Sequence, residues 1–249
     1  MKKSKYIIVV GGQSYFNPFY KLEIPEYKVK VRGTNYLRRP KDDILGVVFT
    51  GGEDVDPSLY NGKKHKLSMT SLKRDIYEKS IFQFCKDSNI KMMAICRGLQ
   101  FLNVMAGGRM FQHVNGHAGT NHLIFYPALR KQFLVNSLHH QMVDLSADGI
   151  PIAWSDPNRV SMAIDYNGYM SGLPRREIEA AVFPKDNSFG VQFHPELMEG
   201  DPRRLDRYSA DANKQFNYES GRSLYISMVE DFLTTRIERF TEKYGCAGG

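Results

Sequence analysis

Cys96 ends a short apolar run, Met92 to Ile95, and is followed by Arg97-Gly98 and then by Leu99, Gln100, Phe101, Leu102, Asn103 and Val104, whose apolar members keep helical spacing up to Gly107-Gly108. The pattern reads as a strand, a tight turn and a helix, with a thiol at the turn. A helix N-terminus favours a thiolate over a thiol. A sharp strand-to-helix turn also lifts its side chain clear of the sheet, as a nucleophile requires. Gly98 leaves room for the backbone to turn. Taken alone, a free cysteine is more often a small buried hydrophobe. Cys85, among Ile81, Phe82 and Phe84, reads as core, and Cys246, in the run Tyr-Gly-Cys-Ala-Gly-Gly, reads as a frayed end.

A cysteine nucleophile needs a base and an orienter for that base. His194 follows a second apolar run, Phe189 to Phe193, and opens His194-Pro195-Glu196. Pro195 ends the strand, and Glu196 lies close enough to turn back onto the imidazole. A third element is Val47-Val-Phe-Thr-Gly-Gly52, an apolar strand running into two glycines. Without Cβ atoms, Gly51 and Gly52 allow a backbone N–H to approach a substrate carbonyl, as an oxyanion hole requires. The N–H of Arg97, at the start of the helix after Cys96, is the natural second donor. A plain β-turn is the bland reading of the same glycine pair.

The histidines His113, His117, His122, His139 and His140 crowd into one stretch. His113 and His117 have helical ligand spacing, and His122 adds a third nitrogen. Asn115-Gly116 break any helix there, however, and no neighbouring carboxylate or cysteine completes a set. The expectation is therefore no metal site and no cofactor, with these histidines lining loops and a pocket.

The elements that must position these residues alternate along the chain. Strands are expected over Tyr6–Val10, Gly46–Thr50, Lys91–Ile95, His122–Tyr126, Gln132–Asn136, Ile152–Ser155, Glu179–Phe183 and Phe189–Phe193, and helices over Ser71–Asp87, Arg97–Ala106 and Arg222–Tyr244. Continuous apolar strands suit a sheet buried on both faces. The expected fold class is α/β, a mostly parallel sheet flanked by helices, with a small antiparallel β excursion in the middle of the chain, about residues 113–170. The charged segment Asp201–Tyr218 reads as a surface loop.

Length and composition agree with this. With 249 residues, 42% hydrophobic and 24% charged, the chain reads as one globular domain over residues 1–249. Three unpaired cysteines fit a reducing, cytoplasmic setting. The apolar run after Met1-Lys-Lys is too short for a signal peptide, and no window reaches transmembrane length, so no membrane partner is expected. The net charge of +7 is scattered without an aromatic-interleaved stripe, so a solvated surface is a better reading than a nucleic-acid interface.

Taken in order, Thr50-Gly-Gly-Glu-Asp-Val-Asp-Pro57, Arg74-Asp75, Ile95-Cys-Arg-Gly-Leu-Gln-Phe-Leu-Asn-Val104 with Gly107-Gly108, Asn136-Ser-Leu-His-His-Gln141 and Gln192-Phe-His-Pro-Glu196 resemble the class I glutamine amidotransferase superfamily. Within it the chain is most similar to the γ-glutamyl hydrolase branch, which includes the γ-glutamyl-γ-aminobutyrate hydrolases, and phage-encoded glutamine amidotransferases also look like this. The resemblance covers roughly residues 46–198. It implies a flavodoxin-like fold and a triad of Cys96, His194 and Glu196, with the amides of Gly52 and Arg97 as oxyanion hole. It also implies that Gln100, with Gly51, meets the γ-glutamyl group and that His139 or His140 lines the acyl pocket. Successive side chains on a strand face opposite ways, which favours His140. The chain differs from the family between its first two strands: Tyr15–Asp43 is short, basic and poorly periodic where the family carries a long helix.

Three functions are compatible with these residues: a hydrolase of a small γ-glutamyl substrate, a glutaminase subunit supplying ammonia to a separate synthetase partner, and a binding module that keeps the fold without chemistry. The chain has no Walker-type phosphate loop of its own. A homodimer is one assembly the sequence allows.

Overall fold

A computed structural model of the chain describes residues 2–198 and 218–246. Its strands are β1 (Lys3–Val10), β2 (Tyr27–Gly33), β3 (Ile44–Phe49), β4 (Met92–Ile95), β5 (Arg109–Phe111), β6 (His113–Val114), β7 (Thr120–Tyr126), β8 (Lys131–Ser137), β9 (Met142–Asp144), β10 (Ile150–Ser155), β11 (Ala163–Ile164), β12 (Ile178–Phe183) and β13 (Ser188–Val191). The α-helices are α1 (Leu72–Asp87), α2 (Arg97–Met105), α3 (Tyr218–Thr234) and α4 (Ile237–Tyr244). Nine strands form one sheet in the order β2-β1-β3-β4-β13-β12-β10-β7-β8. Pairing is parallel from β2 to β13 and antiparallel from β13 outward.

The continuous apolar runs have a direct explanation. Alternate residues of β1, β3 and β4 face opposite layers: Ile7, Val9, Val48 and Met93 pack with Tyr225, Met228, Val229 and Phe232 of α3, and Ile8, Val10, Val47, Phe49 and Met92 pack with Ile81, Phe82 and Phe101 of α1 and α2. Both faces are covered over Tyr6–Val10, Val47–Phe49 and Met92–Ile95, so these positions are apolar throughout. The α/β reading therefore holds, with one refinement. The middle of the chain does not form a separate excursion throughout, because β7, β8 and β10 extend the main sheet. Only β5–β9 and β6–β11 stand apart as two-stranded ribbons.

Four local expectations change. The stretch from Tyr15 to Asp43 contains strand β2, whose Val29 and Val31 alternate with Lys28, Lys30 and Arg32 at the sheet edge. A 3-10 helix, Gln13–Lys21, takes the place of the family's long helix. The expected helix over Arg222–Tyr244 is two helices, with a break at Thr235–Arg236 where the Arg236 backbone is extended. Cys246 is not frayed: its N–H donates to the Pro151 carbonyl at 3.1 Å. The charged Asp201–Tyr218 segment lies outside the described residues, apart from Tyr218, which starts α3. Among the described residues, no helix is long and apolar enough to cross a membrane.

Gly98 also has a different reason for being glycine. The positive backbone angle at the turn belongs to Cys96 itself, with φ 52°. A Cβ on Gly98 would instead meet the Phe49 carbonyl oxygen at 2.2 Å, so the glycine lets α2 lie directly on β3. Because backbone yields little, Gly98→Ala is expected to destabilise the fold by roughly 3 kcal/mol despite better helix propensity. Gly172→Ala, with open space around its Cβ, should stay within about 0.5 kcal/mol of the parent. Urea unfolding of the two variants checks this, and equal midpoints would refute the close-approach argument.

Candidate functional site

The site lies outside the carboxyl ends of the parallel strands, where open α/β sheets form their crevices. β3 delivers Thr50-Gly51-Gly52, β4 delivers Cys96, and the chain leaving β13 delivers His194. Cys96 is fixed by its N–H to the Val191 carbonyl at 2.8 Å, and its own carbonyl accepts from Leu99 and Gln100 in the first turn of α2. Its Sγ faces the Gln192 amide at 3.6 Å.

His194 is fixed from three sides. A 3-10 turn, Pro195–Leu197, folds Glu196 back so that its carboxylate meets His194 Nδ1 at 2.6 Å. Asn136 clamps the His194 backbone, accepting its N–H at 2.8 Å and donating to its carbonyl at 2.9 Å. The ring also shares a hydrogen bond with the Cys96 side chain. Burial alone would depress the imidazolium, but hydrogen bonds and charge from Cys96 and Glu196 outweigh it and raise His194 to about 10. At neutral pH the ring is therefore a cation between a sulfur and a carboxylate.

The glycine pair is held for a reason that a β-turn does not supply. Gly52 has φ +141°, and a Cβ there would sit 1.9 Å from Arg74 Nη1; one on Gly51 would meet His194 Cε1 at 2.9 Å and the Tyr15 hydroxyl at 2.5 Å. Arg74 donates to the Thr50 and Gly51 carbonyls and pairs with Glu53 and Glu78, so it ties this loop to α1. The Arg97 side chain turns away from the crevice and is buried against Asp75 and Glu78, leaving only its backbone for the site.

A cavity of about 140 Å³ opens beside Cys96, between Gly52, Asp54, Gln100, Leu138 and His140. Gln100 is buried, with its amide 3.4 Å from both the Gln141 carbonyl and Gln192. His140 Nε2 lies 3.2 Å from Asp54, a contact that raises its pKa against the effect of burial. His139 also lines this cavity, but its ring nitrogens are engaged behind it, with Nδ1 2.9 Å from the Gln141 carbonyl and Nε2 toward Glu179. A larger cavity, about 470 Å³, lies between Asp144–Pro151 and Arg175–Arg176, and none of the candidate site residues line it.

Tyr15 is the site residue that sequence reasoning missed. Its ring stands 6.3 Å from that of His194, and burial, then the charges of Glu196 and Cys96, push its hydroxyl up to about 12, so it stays protonated. The available signal was position: Gly11 to Tyr15 follows β1, next to β3, on the same strand-end rim as Gly51 and Cys96. Asn136 and Arg74 lay within motifs that sequence reading singled out, but without the roles seen here.

Comparisons with known proteins agree with this architecture. The Peptidase C26 family profile matches residues 31–128. The glutamine amidotransferase-like protein YvdE of Lactococcus lactis is 26% identical over 204 residues, covering 74% of this chain and 79% of that protein. The gamma-glutamyl-CDP-amidate hydrolase of Campylobacter jejuni is 27% identical over 158 residues, covering 63% of this chain and 64% of that enzyme. A crystal structure of a glutamine amidotransferase from Thermotoga maritima superposes with TM-score 0.60 at 16% identity, over 94% of this chain and all of that one, a likeness of fold.

The geometry at His194 has a measurable consequence. Its pKa is raised above the usual 6.5, so the stability this contact contributes is complete below pH 6.5 and is lost as pH rises toward about 10. Histidine NMR should find His194 still protonated at pH 8. In Glu196→Gln its titration should move down, and denaturant melts should show less stability loss between pH 6.5 and 10. An unchanged His194 titration in that variant would rule out the ion pair.

Proposed function

We propose that this chain, a member of the class I glutamine amidotransferase superfamily, hydrolyses the γ-glutamyl amide bond of glutamine or a γ-glutamyl conjugate through a thioester on Cys96. The observation that carries this reading is the line from Cys96 through the His194 ring to Glu196, at the mouth of a cavity sized for a glutamyl arm.

In this mechanism the Cys96 thiolate attacks the γ-carbonyl carbon. The resulting oxyanion accepts hydrogen bonds from the backbone amides of Gly52 and Arg97. The tetrahedral intermediate collapses, the C–N bond breaks, and the imidazolium of His194 gives its proton to the departing amine. Neutral His194 then takes a proton from water, whose oxygen attacks the thioester. Glutamate leaves, and the thiolate and imidazolium are restored. Glu196 keeps the ring oriented and stabilises its cationic form. Asp54, His140 and Gln100 line the cavity beside Cys96 and are the groups placed to bind the polar ends of the glutamyl group.

The test is a panel of γ-glutamyl amides, with free glutamate and ammonia measured separately. Cys96→Ala should lower turnover by three or more orders of magnitude while leaving the melting temperature near that of the parent. Full turnover in that variant would overturn the triad. Robust cleavage by the isolated chain favours the hydrolase, whereas glutaminase activity that rises only with an added synthetase places the same chemistry in an ammonia-supplying subunit.

A further inference from the structure

Beneath the cavity wall lies a second, fully buried cluster with no part in that chemistry. Glu179 of β12 is its centre. Around the single oxygen Oε1 stand His122 Nε2 at 3.0 Å, His117 Nδ1 at 3.3 Å and His139 Nε2 at 3.5 Å. All four side chains are at most 1% exposed. The ligand atoms of His117, His122 and Glu179 lie within 4.8 Å of one another.

We propose that Glu179, His117, His122 and His139 form a binding site for a divalent transition-metal cation of the zinc class. In a tetrahedral site with metal–ligand bonds of about 2.0–2.1 Å, neighbouring ligand atoms stand about 3.3 Å apart. The three nitrogen-to-Oε1 distances fall around that value. Three imidazoles with one carboxylate suit zinc and its neighbours rather than magnesium or calcium, which take oxygen ligands.

The outer contacts set two of the rings to offer a lone pair inward. His139 Nδ1 donates its proton to the Gln141 carbonyl, which leaves Nε2 as the acceptor facing Glu179. For a neutral ring that arrangement makes no hydrogen bond, because two lone pairs then face each other at 3.5 Å. His117 Nε2 meets Glu177 at 3.0 Å, which leaves Nδ1 for the centre. Glu177 is itself held by the N–H groups of Arg159 and Val160. A carboxylate or carbonyl behind each ring is the usual support of a metal-bound histidine. At the centre, His117 Nδ1, His139 Nε2 and Glu179 Oε2 are buried without a hydrogen-bond partner among the described residues, an expensive arrangement for a core network and a natural one for ligands.

An imidazole must be deprotonated to bind a metal, so affinity should fall as pH falls. The sequence expectation of no metal site rested on the helix break at Asn115-Gly116 and on the lack of a neighbouring carboxylate or cysteine. Glu179 supplies the carboxylate from a strand far along the chain. The cation would also brace the cavity, because His139 directly precedes His140 and the Gln141 carbonyl receives both His139 Nδ1 and the Gln100 amide.

The experiment uses the whole chain carrying Cys96→Ala, so that the thiol does not take metal. After chelator treatment it is titrated with Zn²⁺ by calorimetry and with Co²⁺ by visible absorption. The expected result is one equivalent of either ion, the intense absorption of four-coordinate cobalt(II), and a raised melting temperature. Glu177→Gln, which removes only the charge behind His117, should weaken affinity about 10–100-fold. His139→Ala should lose the four-coordinate spectrum, and His113→Ala should keep it. Failure of both ions to bind the parent stoichiometrically overturns the site. So does binding lost in His113→Ala but retained in His139→Ala, which would assign the ion to the His113–His140 pair on the cavity rim.

Discussion

The structure depends first on the backbone of Cys96. A non-glycine residue at φ 52° costs on the order of 1–3 kcal/mol and persists only where its surroundings over-determine it. Here they do. The Cys96 N–H is tied to β13, its carbonyl starts α2, and α2 is pressed onto β3 through Gly98. Phe101 of the same helix packs against Phe49 and Phe82, with ring centres 5.2 and 6.3 Å away. Each contact holds the turn from a different element. The sulfur is aimed at His194 because three strands and a helix agree on where it must be.

The same turn explains the buried Arg97. Charged groups are seldom left in a core, since desolvation offsets much of their attraction and an unpaired partner is costly. Arg97 is one residue past Cys96 and cannot reach solvent without moving α2. Asp75 and Glu78 of α1 neutralise it, and Glu78 also pairs with Arg74, which holds the carbonyls of Thr50 and Gly51. One ionic network thus links the Cys96 turn to the glycine loop that faces it. The relative position of Cys96 and Gly52 is set by side chains that never enter the cavity.

How much of this was legible in the sequence follows from how local each signal is. The Cys96 turn, the glycine pair and His194-Pro195-Glu196 are each written within a few consecutive residues, and their partners lie at the ends of adjacent parallel strands. β2 was not legible because an edge strand needs apolar residues on one side only, and its lysines obscured the alternation of Val29 and Val31. The break between α3 and α4 carries no proline or glycine to announce it; it is an extended backbone at Arg236. Tyr15 sits on a 3-10 helix, whose spacing matches neither the strand nor the helix period. The Glu179 cluster gathers the loop after β6, β7, the β8–β9 connection and β12. Only the sheet order makes these neighbours.

That order also explains why two polar clusters lie so close without merging. β13 is the last parallel strand and β12 the first antiparallel one. β13 carries the chain to Gln192 and His194 at its carboxyl end, and β12 runs the other way, so its beginning lies beside them; the Gln192 N–H donates to the Glu179 carbonyl at 2.7 Å. Glu177, just before β12, and Glu179 within it are two apart, and the histidines of the antiparallel half close over both. The segment His139-His140-Gln141 crosses between the clusters, giving alternate side chains to each. A shift of one residue in that segment would put His140 among the buried carboxylates and Gln141 at the cavity, or Leu138 among the carboxylates and His139 at the cavity. The register of the β8–β9 connection therefore matters as much to the cavity as the residues that line it.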